Sequence, residues 1–271
     1  MTTDARSFAD ASAVRATDGP FAYAWEVPDG WQQGRGAYGG LVLGALVRAA
    51  EASEADRARR VRVVTGELCA PVLPGAATIA VAHVRRGSGV TYADARVVQG
   101  AEVVARASVL LAGDRKVPTP AIERAAPALP PAAAMAVAPP PSPPAPPFTR
   151  HVDFRPTGPL PFSGAAEAST RASGYVSMRV PLAAIDAPAM VALLDAWWPA
   201  VLAAMPAPRP MATVSYTADL LADPAGVDPA APLAYTARTE AAAGGFVVEL
   251  RELWQDGRLL ALNQQTFAII A

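Results

Sequence analysis

The stretch from Asp186 to Met205 reads D-A-P-A-M-V-A-L-L-D-A-W-W-P-A-V-L-A-A-M, and the second half of the chain is organised around it. Asp186 is a favourable helix N-cap, and Pro188 suits the first helical turn, where a missing N–H breaks no hydrogen bond. From Met190 onward nearly every residue is apolar, which is typical of a helix buried on all sides. The sequence therefore predicts a buried helix that continues to Met205, roughly 30 Å long at about 1.5 Å per residue.

Asp195 is the one charged residue inside this apolar stretch. A buried carboxylate is costly unless it is hydrogen-bonded or reached by water. Pro199, four residues later, has no N–H to donate to the carbonyl of Asp195, so the backbone ladder is interrupted where the charge lies. This coincidence makes Asp195 a candidate functional residue.

Composition limits the classes of function. The chain has 271 residues, a net charge of −1 and 52% hydrophobic residues, which predicts a soluble globular protein with a large core. A nearly neutral chain has no electrostatic surface for nucleic acid or an anionic membrane, and we expect no membrane span and a cytoplasmic location. Cys69 is the only cysteine, and His83 and His151 are the only histidines. We expect both histidines at the surface. The chain therefore offers too few ligands for a metal site, and we expect no cofactor.

The order of elements in the first half recurs in the second. Each half has a helix, over Leu41–Ser53 and within the stretch above, followed by four strand signals. The two final hairpins align without a gap at an offset of 156 residues, Gln99 over Gln255. The strand signals lie at Val61–Cys69, Ala77–Arg85, Thr91–Gln99 and Glu102–Leu111, and then at Met211–Leu221, Leu233–Glu240, Phe246–Trp254 and Arg258–Ile270.

A proline- and alanine-rich segment, Val117 to Pro147, separates the halves and is typical of an extended connector. We therefore predict a duplicated α+β unit with antiparallel sheets. Its parts are an N-terminal repeat over residues 1–115, a linker over 116–148 and a C-terminal repeat over 149–271.

The last strand breaks the symmetry of the duplication. In the first copy Val103, Ala105, Ala107, Val109 and Leu111 share one face, and all are apolar. The same face of the second copy carries Asn263 and Gln265 between Leu259, Ala261 and Phe267. These two side chains and Asp195 either satisfy one another as a structural network or line a pocket that binds a reactive water.

Several sequence features together resemble the acyl-CoA thioesterase II (TesB-type) family. They are the repeat itself, R-G-x-Y-G-G at Arg35–Gly40, L-D-A-W-W-P at Leu194–Pro199, A-T-V at Ala212–Val214 and the ending L-L-A-L-N-Q-Q. The resemblance implies a double hotdog fold, in which each of two helices is wrapped by an antiparallel sheet. It also implies hydrolysis of acyl-CoA by a water held by an Asp, a Thr or Ser and a Gln.

By position in this sequence, the implied catalytic residues are Asp195, Thr213 and Gln265. Plain alternation places Thr213 on the outer face of its strand unless a β-bulge intervenes. The expected substrate-binding residues are Tyr38, Gly39, Gly40, Asn263 and Trp198, with helix N-terminal N–H groups near the two glycines stabilising the oxyanion. The strand edges of such a fold favour a homo-oligomer.

The sequence disfavours two other kinds of site and leaves one alternative function open. Gly34–Gly39 matches G-x-G-x-x-G, but no buried strand precedes it as a dinucleotide site requires. No G-x-S-x-G is present, which disfavours a serine-nucleophile thioesterase. A catalytically silent double hotdog that binds an acyl group or serves in assembly is the alternative function.

Overall fold

The structure is a computed structural model that describes residues 6–120, 122, 124–139, 145–164 and 170–270. Its helices and strands agree in order with the sequence prediction, with most ends within three residues. The regular elements of these ranges are, in chain order, α1 Phe8–Ala11, β1 Arg15–Ala16, β2 Ala22–Val27, β3 Gln32–Gln33, β4 Gly36–Ala37, α2 Gly39–Ser53, β5 Arg60–Leu68, β6 Gly75–Arg86, β7 Val90–Gln99, β8 Glu102–Ala112, β9 Val152–Pro156, β10 Arg171–Met178, α3 Ala187–Ala196, β11 Met211–Leu220, β12 Leu233–Ala243, β13 Phe246–Gln255 and β14 Arg258–Ile269.

Twelve strands form one antiparallel sheet in the order β1-β2-β6-β7-β8-β5-β11-β14-β13-β12-β10-β9. The order is nearly palindromic about the pairing of β5 with β11, where Tyr216 lies opposite Gly66. The two halves of the sheet therefore correspond strand by strand. Helices α2 and α3 pack against each other, and each packs on strands of its own half. This is the α+β arrangement expected from the repeat.

Helix α3 is shorter than predicted. It begins as expected, with the Asp186 carboxylate accepting a hydrogen bond of 2.9 Å from the Ala189 N–H, but it ends at Ala196 instead of Met205. Trp197 is already extended, with ψ of 148°, and a residue before proline, here Trp198, is disfavoured in the helical region. A short 3₁₀ turn, Ala200–Ala203, follows. Asp195 consequently lies in the last helical turn.

A β-bulge in β11 corrects the predicted orientation of its first residues. Thr213 pairs with Phe267 and Ser215 with Thr266, so Val214 is an extra residue in the strand. The bulge reverses the alternation, which leaves Val214 37% exposed and turns Thr213, half-buried, to the inner face. Plain alternation, which would place Thr213 on the outer face, therefore fails at this end of the strand.

The contrast between the last strands of the two copies is confirmed. In β14 the inner face carries Asn263 and Gln265, both buried. At one end the prediction failed in both copies, because bulges at Val104 and Leu260 shift the alternation. Val103 is 44% exposed, and Leu259 is only half-buried. The other buried residues of the two inner faces are Ala261 and Phe267 in β14, and Ala105, Ala107, Val109 and Leu111 in β8.

The described part of the linker lies along the second repeat. Arg124 forms an ion pair of 2.5 Å with Glu252, and the Tyr175 hydroxyl donates to the carbonyl of Pro130 at 2.9 Å. Residues 121, 123 and 140–144 of the predicted linker lie outside the described residues. The two boundaries between the three predicted parts stay a prediction. Among the described helices, none combines the length and apolarity needed to cross a membrane.

Candidate active site

Asp195 lies where the last turn of α3 meets the first turn of α2. Its side chain is packed so closely against Gly39 that a Cβ on this glycine would be 2.8 Å from Asp195 Oδ2. The first N–H groups of a helix have no intrahelical partner, and the helix dipole favours an anion there. Burial raises the pKa of Asp195 above its ordinary value, while the charge of Arg251, the Gly40 N–H and the Gln265 amide lower it by smaller amounts.

Gln265 occupies the inner face of β14 between Tyr216 of β11 and Glu249 of β13. Its side chain is fully buried, and both Nε2 and Oε1 lack a well-formed hydrogen bond among the described residues. A buried amide without partners is costly unless something else satisfies it. The amide is nevertheless close enough to Asp195 to lower the pKa of that carboxyl.

Asn263 and Thr213 flank Gln265 on the same face. Asn263 Nδ2 donates to the Thr217 carbonyl at 2.8 Å, whereas its Oδ1 has no partner in the described ranges. Thr213 of β11 pairs with Phe267, which is the next inner-face residue of β14 after Gln265. The strand register thus brings Thr213, Gln265 and Asn263 to one face.

Tyr38 and Gly40 fix α2 against α3. The Tyr38 hydroxyl donates to the carbonyl of Ala192 at 3.2 Å, and its ring stacks on Phe148 with centroids 4.3 Å apart. A Cβ on Gly40 would lie 2.9 Å from the Cα of Ala192, so the close approach of the helices requires glycine. Trp198 is half-buried against Trp197, 4.8 Å away between centroids. A role of these residues in binding substrate stays a prediction.

The sequence predicted both histidines at the surface, but in the structure both are half-buried. His83 Nε2 lies 2.9 Å from Ser53 Oγ, and the His151 ring stacks on Trp31 at 4.0 Å. In the parts of the chain that the structure describes, no three His, Cys, Asp or Glu side chains gather closely enough to hold a metal ion.

Glu249 and Arg251 form a buried ion pair that the sequence analysis missed. Both side chains are almost completely buried, and Arg251 Nε donates to Glu249 Oε1 at 2.9 Å. They lie on β13 directly opposite Gln265 and Asn263 respectively. The sequence did contain a signal. Along β13 both residues alternate with the strand period from Val247 to Leu253, so they share the face of these two apolar residues.

Two family models of known proteins match this chain, one in each repeat. The family model described as acyl-CoA thioesterase N-terminal domain matches residues 27–112, and the one described as acyl-CoA thioesterase C-terminal domain matches residues 125–269. The chain belongs to the acyl-CoA thioesterase family. No curated protein matches the chain.

Solved structures confirm the double hotdog fold of this acyl-CoA thioesterase family member. A conserved hotdog protein of unknown function from Alicyclobacillus acidocaldarius is similar at 25% identity and a TM-score of 0.87, over 97% of this chain and 98% of that one. A proposed thioesterase II from Thermobifida fusca has 24% identity and a TM-score of 0.80, over 97% of each chain. An acyl-CoA thioesterase II, TesB2, from Mycobacterium marinum has 17% identity and a TM-score of 0.76, over 97% and 98%.

The contact between Gly39 and Asp195 leads to a prediction for this family member. A methyl group on Gly39 would press on both Asp195 Oδ2 and Leu68 Cδ1, each 2.8 Å away. We expect Gly39→Ala to lower kcat by about tenfold or more, because the carboxylate must move. We also expect a loss of about 1–3 kcal/mol of stability from overpacking. Enzyme assays and thermal melting would measure the two effects.

Gly113→Ala is the matched control, since its new Cβ would meet its nearest neighbour at an ordinary 3.5 Å. This variant should retain wild-type kcat. A Gly39→Ala variant with wild-type kcat would show that the Asp195 carboxylate can be displaced without loss of activity.

Proposed function

We propose that this protein hydrolyses fatty or related acyl-CoA thioesters to the free acid and CoA, using a water activated in the second repeat. One observation carries the proposal. The buried Gln265 amide, with no partner among the described residues, lies close to the buried Asp195 carboxylate at the start of α2. A carboxylate acceptor together with an amide donor and acceptor can hold and orient one water molecule.

Each residue has a defined part in the proposed reaction. Asp195 accepts a proton from the water while Gln265 and Thr213 hold the water oxygen. The oxygen attacks the thioester carbonyl carbon and forms a tetrahedral intermediate, whose oxyanion is stabilised by N–H groups at the α2 N-terminus near Gly39 and Gly40. When the intermediate collapses, the C–S bond breaks, and the departing CoA thiolate takes the proton that Asp195 accepted from the water, which regenerates the carboxylate.

The substrate-binding residues are proposed from their positions around this water. Asn263 lies one inner-face position from Gln265 on β14, and its Oδ1 has no partner among the described residues. Trp198 extends the apolar surroundings beyond the end of α3, where it contacts Trp197 and Phe154. Apolar aromatic surface suits the acyl chain, and the unpaired oxygen suits a donor on the substrate.

Release of free thiol from a series of acyl-CoA chain lengths tests the function directly. The proposed chemistry uses only a carboxylate, an amide, a hydroxyl and backbone N–H groups, so we expect turnover to be unchanged after treatment with a metal chelator. Activity that a chelator abolishes and an added metal restores would contradict this mechanism. Tight binding of acyl-CoA with no thiol release would support an acyl-binding module instead.

A further inference from the structure

The buried pair Glu249–Arg251 contacts both sides of the break at the end of α3. On one side, Arg251 Nη1 donates to the carbonyls of Leu194 at 2.9 Å and Asp195 at 3.3 Å. On the other side, Glu249 Oε2 accepts a hydrogen bond of 2.6 Å from the Ala200 N–H. The pair therefore bridges the extended residues that separate the helix from the 3₁₀ turn.

These contacts replace backbone hydrogen bonds that the break removes. The last carbonyls of a helix have no intrahelical donor, and Pro199 has no N–H to offer the carbonyl of Asp195. A guanidinium supplies the missing donors and places a positive charge at the negative end of the helix. The backbone of Asp195 is thereby held from β13.

The same pair adjoins the other residues of the proposed water site. On the sheet, Glu249 is opposite Gln265 and Arg251 is opposite Asn263. In the first repeat, the aligned positions are occupied by Ala93, opposite Val109, and Ala95, opposite Ala107. That repeat also has an uninterrupted helix of 15 residues. The ion pair, the helix break and the polar inner face thus occur together in one copy only.

We propose that Glu249 and Arg251 are positioning residues, which clamp the two sides of the break and so hold the Asp195 carboxylate in place between Gln265 and the start of α2. This inference rests on the proposed function. Neither residue contacts the water in this mechanism, and both act through the backbone of Asp195 and through the charge of Arg251.

The charged surroundings of Asp195 supply a readout that a merely structural pair would not move. Arg251 from β13 lowers the pKa of Asp195. Glu249 also faces this region from β13, Tyr38 from the turn before α2, Tyr216 from β11 and Tyr235 from β12. Burial raises the pKa of all three tyrosines well above the ordinary value, so they are uncharged. Arg251 contacts the backbone of Asp195 and lowers the pKa of its carboxyl, whereas Glu249 has no comparable influence on it, so loss of both charges raises the pKa of Asp195.

Two variants of the full-length protein separate geometry from charge. The double variant Glu249→Leu/Arg251→Met removes both charges, so neither is left buried and unpaired. We expect kcat to fall by about tenfold or more with little change in KM, and the acid limb of the kcat–pH profile to move to higher pH. Arg251→Lys keeps the charge but not the planar donors, so kcat should fall while the limb stays in place.

Glu54→Gln is the matched control. Glu54 is a buried carboxylate of the first repeat, 2.7 Å from Arg86, and breaking this pair should lower the melting temperature without changing kcat or the limb. A folded double variant with wild-type kcat and pH profile would overturn the proposal. If the double variant does not fold, wild-type kcat in Arg251→Lys would overturn it.

A test without turnover separates this proposal from the proposed function. If the wild-type protein releases no thiol from any acyl-CoA, the proposed function fails. A ¹³C NMR titration of the Asp195 carboxyl then decides the positioning role. Its pKa should rise in the double variant and stay unchanged in Glu54→Gln, and an unchanged pKa in the double variant would overturn the role.

Discussion

Asp195→Asn is expected to lower kcat for acyl-CoA hydrolysis by about a hundredfold or more while the fold persists. The amide has nearly the same shape as the carboxylate but cannot accept a proton from water. Asp195 is buried, at 8% exposed, and burial raises the pKa of its carboxyl. Replacing a buried carboxylate by a neutral amide therefore need not destabilise the protein. Steady-state kinetics with thermal melting would measure both effects.

Asp186→Asn is the matched control for this prediction. Asp186 caps the same helix, its side chain is 39% exposed, and asparagine caps a helix as well as aspartate does. It should retain wild-type kcat. An Asp195→Asn variant that keeps its activity but melts at a much lower temperature would show that the carboxylate is structural.

The same carboxylate determines the expected pH dependence. A general base acts only when it is ionised, so activity should fall as the pH decreases through the pKa of Asp195. Because burial raises that pKa, the acid limb of the kcat–pH profile should lie above the ordinary value for aspartate, near 4. The limb should be absent from the residual activity of Asp195→Asn.

Gln265→Val should produce the second large effect, since it gives the second repeat the residue that the first has as Val109. We expect a loss of roughly 2–4 kcal/mol of transition-state stabilisation, measured through kcat/KM. Since the amide is buried without a partner among the described residues, valine should leave the melting temperature unchanged or raise it. A structural glutamine would show the opposite pattern, lower stability with activity retained.

Gln264→Val is the control on the neighbouring, exposed position of the same strand, and it should retain activity. The asymmetry of the repeats also predicts one site per chain. Titration with a non-hydrolysable acyl-CoA analogue should saturate near one equivalent. Two equal sites, or an active Gln265→Val, would mean that the reactive water is held elsewhere.

The duplicated fold could be predicted from the sequence because its signals are periodic and occur twice. Apolar alternation identified the strands, and the ungapped alignment of the final hairpins identified the repeat. The polar pair Asn263 and Gln265 was visible because the first copy shows which residues an ordinary inner face requires. In a duplicated chain, one copy thus serves as the reference against which unusual residues of the other copy can be recognised.

Three features required the structure. The end of α3 was missed because the apolar composition continues past Trp197 into the 3₁₀ turn. Pro199 nevertheless disfavours a helical conformation at the residue before it. The inward turn of Thr213 depends on one extra residue, Val214, and alternation cannot reveal a bulge. Glu249 and Arg251 were missed because two opposite charges on a strand are usually solvent-exposed, and only the tertiary fold buries them together.

The pairing of β5 with β11 has a consequence for how the chain folds. Tyr216 pairs with Gly66 about 150 residues earlier in the chain, and contacts between such distant segments form slowly because loop closure costs entropy. The hairpins of each half have short connections and can form first. Asp195 comes from one half and the start of α2 from the other, so the candidate site is incomplete until the halves dock. Enzymatic activity should therefore be the last native property to return on refolding, after the secondary structure is already present.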